Sequence, residues 1–186
     1  MHSLTSGDET LAEQAVHQLV ALGPDVIPSL TDLAHSPNPD TRWWAVRTLA
    51  QTPHAPTESL LPFLSADPSP EVRQCAALGL ALKADASAIT PLVHALSDSD
   101  PMTAGLAAHA LIKIGKETVP ALIECVKNKQ TQSARIHALR ALAELCDPRA
   151  IPVMMQVMEE ESALLQHWAK TGLERLGLDM VYIKPV

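Results

Sequence analysis

Ala107-Ala108-His109-Ala110-Leu111-Ile112-Lys113-Ile114-Gly115 decides the fold, because its alanine and leucine belong to a series. Alanine also stands at Ala15, Ala45, Ala76, Ala138 and Ala169, and leucine four residues later at Leu19, Leu49, Leu80, Leu142 and Leu173. The successive leucine intervals are 30, 31, 31, 31 and 31 residues. Residues four apart share one face of an α-helix, so each pair marks a helix with the same apolar stripe. A fixed period between about 20 and 50 residues marks a stacked-repeat architecture. Stacked helical repeats offer an extended surface, and the expected work of this chain is to hold another molecule on it.

A proline-bearing apolar phrase precedes five of these helices: Ile27-Pro28-Ser29-Leu30, Leu61-Pro62-Phe63-Leu64, Thr90-Pro91-Leu92-Val93, Val119-Pro120-Ala121-Leu122 and Ile151-Pro152-Val153-Met154. Proline is tolerated in a first helical turn, where its missing N–H would have no partner anyway. Each phrase therefore predicts the first helix of a repeat. Polar turns lie at 36–40, 67–71, 97–101 and 127–132. Ser69-Pro70 and Asp100-Pro101 read as an N-cap followed by proline. Ser6 and Glu9 have capping-box spacing. Gly23, Gly115 and Gly177 stand where a left-handed residue ends a helix.

The reading is an all-α chain forming one repeat domain over 1–186. A capping helix at 8–22 precedes helix pairs at 24–53, 57–84, 86–115, 117–146 and 148–177. In the tail, 178–186, Met180, Val181, Tyr182 and Ile183 are expected to cover the end of the stack, with partner binding as the alternative.

Of the 186 residues, 47% are apolar, yet the aromatic ones are only Trp43, Trp44, Phe63, Trp168 and Tyr182. The core must therefore be built from aliphatic side chains. The net charge of -7 argues against a general nucleic-acid binder, which needs a basic surface. Residues 1–100 carry 4 basic and 12 acidic side chains, while 101–186 carry 10 and 9. Cys75, Cys125 and Cys146 lack metal-ligand spacing and fit free thiols in a reducing compartment. The first residues lack the pattern of a signal peptide, and no apolar run is long enough to span a bilayer. The chain reads as cytoplasmic, with no membrane partner.

These phrases resemble HEAT repeats of the subtype also found in phycobilisome lyases, whose second helix runs Val-Arg-x-x-Ala-Ala-x-Ala-Leu-Gly-x-Ile-Gly. Val72-Arg73-Gln74-Cys75-Ala76-Ala77 matches its first half and Ala107 to Gly115 its second. Arg42 and Arg135 stand at the arginine position, while Ala12, Ala104 and Gln166 depart from it. The resemblance implies a right-handed α-α superhelix, a HEAT-type solenoid of about five helix pairs plus one N-terminal capping helix. It also implies that second helices line the concave face, and that Arg42, Arg73 and Arg135 bond the adjoining turns rather than a ligand.

At about 100° per residue, one stripe of each second helix points away from the Ala–Leu pair. On it fall the candidate partner-binding residues Trp43, Trp44, Arg47, His109, His137, Arg140, His167 and Trp168. The stripe has a formal charge of +2, from Arg47, Lys113, Arg140 and Arg175 against Glu13 and Glu144. This predicts a mildly basic, aromatic floor. Tryptophan in a stacked repeat also serves as packing between helices. Exposed, it marks contact sites, and with arginine it suits flat or anionic groups.

Enzyme chemistry finds little support. His109, His137 and His167 occupy different helical registers, so no metal site is expected, and no cofactor. The chain has no His-Glu dipeptide, unlike the iron-holding HEAT-type deoxyhypusine hydroxylases. The stripe has no aspartate for a glycosylase of the HEAT-like alkylpurine type. No histidine shares the helix of Cys75, and no glycine-rich phosphate loop is present. The expected function is a non-catalytic scaffold or adaptor binding a protein or peptide on its concave face. The resemblance supplies one alternative, bilin lyase-like handling of a tetrapyrrole whose anionic propionates Trp, His and Arg would hold. In that case the chain is a lyase acting on a bilin chromophore. A regulatory subunit of a larger assembly is the other alternative.

Overall fold

The structure, a computed structural model, describes residues 1–128, 131–160 and 162–178. Among the described residues are eleven α-helices and no strand, so the chain is all-α. Most of the tail, 179–186, lies outside the described residues. No helix among the described residues is long and apolar enough to cross a membrane.

The chain forms two compact units, 1–91 and 92–186. The first contains α1 (Glu9–Ala21), α2 (Ile27–Leu33), α3 (Pro39–Gln51), α4 (Leu61–Ala66) and α5 (Pro70–Lys83). Here α3 packs against both α1 and α5, with α2 against α3 and α4 against α5. The short helix α6 (Ile89–Ala95) spans the border. The second unit contains α7 (Pro101–Ile114), α8 (Val119–Lys127), α9 (Gln132–Leu145), α10 (Ile151–Val157) and α11 (Ala163–Arg175). Here α9 packs against α7 and α11, with α8 against α9 and α10 against α11.

The recurring pair is the core. Ala45, Ala76, Ala107, Ala138 and Ala169 are fully buried, as are Leu49, Leu80, Leu111, Leu142 and Leu173; Ala15 and Leu19 are nearly so. Pro28, Pro62, Pro120 and Pro152 each take the second position of a short helix, where no intrahelical donor is lost. Helix caps follow the turn chemistry. Asn38 Oδ1 accepts from the amides of Asp40 and Thr41, and Asp100 Oδ2 from that of Thr103.

Two expected caps differ. Asp8, not Ser6, caps α1, accepting from the Leu11 amide at 3.0 Å. The chain turns at Gly7 (φ +79°), and Ser6 Oγ instead accepts from the Asp8 amide. Ser69 stands at the cap of α5, but its hydroxyl donates to Glu71. Gly23, Gly115 and Gly177 do have positive φ, and Ala84 and Cys146 adopt the left-handed conformation as well.

The turn arginines act as the resemblance implied. Arg42 Nη1 donates to the carbonyls of Ser36 and Pro37, while its Nε and Nη2 donate to the two oxygens of Asp67, each at 2.8 Å. Arg73 donates to the Asp67 carbonyl. Arg135 donates to the Val126 carbonyl and to both oxygens of Glu160. Gln166, which replaces the arginine, still reaches the carbonyls of Met158 and Glu160.

Close helix approach gives a stability prediction. A Cβ at Gly79 would lie 2.6 Å from Ala50 Cβ and 2.9 Å from Leu60 Cδ1. Ala50 Cβ is fixed to the α3 backbone, so α3 and α5 must part. A Cβ at Gly172 would lie 2.5 Å from Met154 Cε and 2.7 Å from its Sδ, and these belong to a flexible side chain that can swing aside. Gly79→Ala is therefore expected to lose about 1–3 kcal/mol by overpacking. Both substitutions gain the helix propensity of alanine, about 1 kcal/mol. Gly172→Ala, whose Cβ would also lie 3.3 Å from Ala143 Cα, is still expected to lose less than Gly79→Ala, because its closest clashes are with the end of the Met154 side chain. Urea unfolding of the two variants checks the order.

Candidate functional site

In 1–91, α3 places Trp43, Trp44 and Arg47 within one turn of helix. The indoles meet edge to face, with centroids 4.8 Å apart and planes at 87°. Both are half-buried, so they are neither sealed between helices nor free in solvent. The Arg47 guanidinium carbon lies 5.2 Å from the centroid of Trp43 and 5.6 Å from that of Trp44. Arg47 Nη2 donates to both oxygens of Glu13, on α1, at 2.7 and 2.9 Å. Its Nε is buried without a hydrogen-bond partner.

This cluster lines an open groove of about 1330 Å³ shared by α1, α3 and α5. Glu9, Glu13, Asp40 and Glu71 line it, against the single guanidinium of Arg47. The mildly basic floor read from the stripe is corrected here for this unit. The charge of Arg47 is met by Glu13, and the first turns of three helices add carboxylates that a mid-helix stripe does not sample. Sequence reasoning missed Glu9, Asp40 and Glu71 as groove residues. The signal was available: they fall at 31-residue intervals, on the same beat as the core.

Cys75, on the same stripe, is buried, with its Sγ 3.9 Å from the Trp43 carbonyl oxygen. Burial pushes its thiol up to about 12, against a smaller opposing effect of Arg47. It is therefore no thiolate nucleophile at neutral pH.

In 92–186, α9 carries His137 and Arg140, and α11 carries His167 and Trp168. His109 stands exposed on α7. The rings of His167 and Trp168 meet edge to face at 5.3 Å, with Trp168 half-buried and His167 exposed. His137 Cε1 lies 4.0 Å from the Cβ position of Gly105, so this imidazole faces α7. Burial, then the charge of Arg140, pull the His137 pKa down, leaving the ring neutral at pH 7; its Nδ1 is buried without a partner. Arg140 approaches Glu144 at 3.6 Å, and Arg175 donates to the Ala143 carbonyl. The packed helices α9 and α11 thus carry imidazoles, an indole and guanidinium groups, with the Glu144 carboxylate beside Arg140. Among the described residues no three His, Cys, Asp or Glu side chains are grouped to hold a metal ion.

Paired helices carrying one buried Ala–Leu beat define an α-helical repeat protein. The chain is a HEAT-repeat protein: the profile of HEAT repeats matches residues 57–143, and that of the PBS lyase HEAT-like repeat matches 134–160. Phycocyanobilin lyase subunit beta of Nostoc sp. is 30% identical over 107 residues, 58% of this chain and 53% of that protein. The phycobilisome maturation protein of Synechococcus elongatus is 35% identical over 106 residues, 56% of this chain and 50% of that one. The chain thus spans about half the length of the curated relatives it matches. Among solved structures, the complex of CpcE and CpcF of phycocyanin lyase from Nostoc sp. shares the fold, with a TM-score of 0.56 and 21% identity over 84% of this chain and 66% of that one.

Proposed function

We propose that this chain handles a linear tetrapyrrole beside a second protein, as one member of a lyase-type pair. The observation that carries this reading is the 30–35% identity, over more than half of this chain, to a phycocyanobilin lyase subunit and a phycobilisome maturation protein. A protein-binding scaffold remains its coarser part, since the repeat surface must hold a partner as well as a pigment.

The chemistry of 92–186 supports the pigment. A bilin is a flat conjugated chain with anionic propionates. Arg140 and Arg175 supply guanidinium groups for carboxylates, and Trp168 supplies a ring for stacking. Cys75 and Cys125 offer no activated thiolate, since burial raises both. We therefore assign this chain to holding and presenting the pigment, and not to nucleophilic attack on it by either of these buried thiols.

Titration of the purified chain with phycocyanobilin tests the reading. The expected result is a red-shifted absorbance band with induced visible circular dichroism. Arg140→Ala/Trp168→Ala should weaken it about tenfold, a loss of about 1.4 kcal/mol, with an unchanged far-ultraviolet melt. No spectral change at tens of micromolar pigment overturns the proposal.

A further inference from the structure

We propose that the groove edged by Trp43 and Trp44 is the docking site for a segment of the partner protein that carries arginine or lysine side chains. This deepens the reading that the chain works beside a second protein, and it adds the chemistry of that contact.

Size points to a chain segment. At about 1330 Å³ the groove exceeds the range of about 300–1,000 Å³ usual for small-molecule pockets, and it is open along one side.

Charge selects the sign of the occupant. Glu13 is already engaged by Arg47, but Glu9 and Asp40 have no ion-pair partner among the described residues, and Glu71 lines the same rim. Glu9 and Asp40 stand in the first turns of α1 and α3. The helix dipoles at those ends offset about half an elementary charge each, so these two carboxylates leave the rim negative. A pigment bearing propionates would meet like charge here.

Arg47 shows which cation the groove accepts. Its guanidinium already rests against two indoles and a carboxylate. An incoming arginine or lysine would lay its stem on the exposed parts of the same indoles and bring its head to Glu9 and Asp40, which line the groove with them.

The sequence confines this device to one unit. The 31-residue beat that gives Glu9, Asp40 and Glu71 continues as Met102, Ser133 and Leu164. The acidic row therefore stops where the more basic part of the chain begins.

The test uses the full chain with Trp168→Phe, so that only Trp43 and Trp44 report. The probe is a capped peptide of alternating glycine and arginine, with the glycine–glutamate peptide as control. At low ionic strength the arginine peptide is expected to quench tryptophan emission saturably, and salt should reverse this. Glu9→Gln/Asp40→Asn should weaken binding about tenfold, and Trp43→Leu/Trp44→Leu, followed by a fluorophore on the peptide, at least as much. Both variants are checked by their melts.

Failure of the arginine peptide to bind, equal binding of the glutamate peptide, or undiminished binding to either variant overturns the proposal. So does a rise in molar mass by light scattering that the same substitutions abolish, because a second copy of this chain would then fill the groove. Phycocyanobilin titration of Glu9→Gln/Asp40→Asn should match the unmutated chain. If the pigment fails everywhere while the peptide still binds, the tetrapyrrole reading falls and the docking site stands.

Discussion

Leu142→Ala is expected to lower stability by about 2–5 kcal/mol, a large part of the roughly 5–15 kcal/mol available to a domain. Leu142 is fully buried on α9, the helix that packs against α7, α8 and α11. Its helix neighbours Ala138, Ala141 and Ala143 are also buried and too small to fill the void. The loss therefore combines lost transfer energy with a cavity that does not collapse. The sharper comparison lies within one unit. Leu49 on α3 is fully buried between α1 and α5, whereas Leu19 on α1 retains 8% exposure. Leu49→Ala should cost about as much as Leu142→Ala, and Leu19→Ala about half, because Leu19 already touches solvent and the space it leaves can be hydrated. Urea denaturation of the three variants decides it. Equal losses at Leu19 and Leu49 would contradict a core passed from repeat to repeat.

The helical architecture was legible because burial is periodic. The Ala–Leu beat marks every long helix, and prolines open the short ones. Local conformation was less legible. Ala84 and Cys146 end α5 and α9 in the left-handed region without the glycine that would signal it, their N–H groups closing on the carbonyls of Leu80 and Leu142. The cap of α1 moved from Ser6 to Asp8 through the positive φ of Gly7.

The candidate residues were read as one stripe, and the fold sorts them by unit. Trp43, Trp44 and Arg47 stand together on α3, His137 and Arg140 on α9, and His167 and Trp168 on α11. What the stripe lacked was the sign of the groove in 1–91. A helical wheel counts charges along one helix. The Glu13–Arg47 pair links two helices 34 residues apart in sequence, and Glu9, Asp40 and Glu71 enter from helix ends. Only the packing of α1, α3 and α5 brings those carboxylates to one rim.

Asp67→Ala is expected to cost about 3–5 kcal/mol, as for a buried ion pair that loses one member. The Asp67 side chain is 3% exposed and that of Arg42 11%. Removing the carboxylate leaves Arg42 with the carbonyls of Ser36 and Pro37, and deprives the Ser69 amide of its acceptor. By contrast, the exposed pair Lys127–Glu124, with side chains 48% and 59% exposed, should give no more than about 1 kcal/mol. Acid pH supplies an independent reading. Burial raises the Asp67 pKa, but the hydrogen bonds from Arg42 and the Ser69 amide and the charges of Arg42 and Arg73 outweigh it and hold the carboxyl below its ordinary value. A carboxyl depressed in the folded state adds stability that is complete above its unfolded pKa, about 3.9. That stability is lost as pH falls through the lower, folded value. The unmutated protein should therefore weaken steeply below about pH 4. Asp67→Ala should begin less stable and fall less steeply, with Asp147, held down by Arg149, sustaining a residual slope. Parallel curves for the two proteins below pH 4 would show that the Arg42–Asp67 pair is not what acid removes.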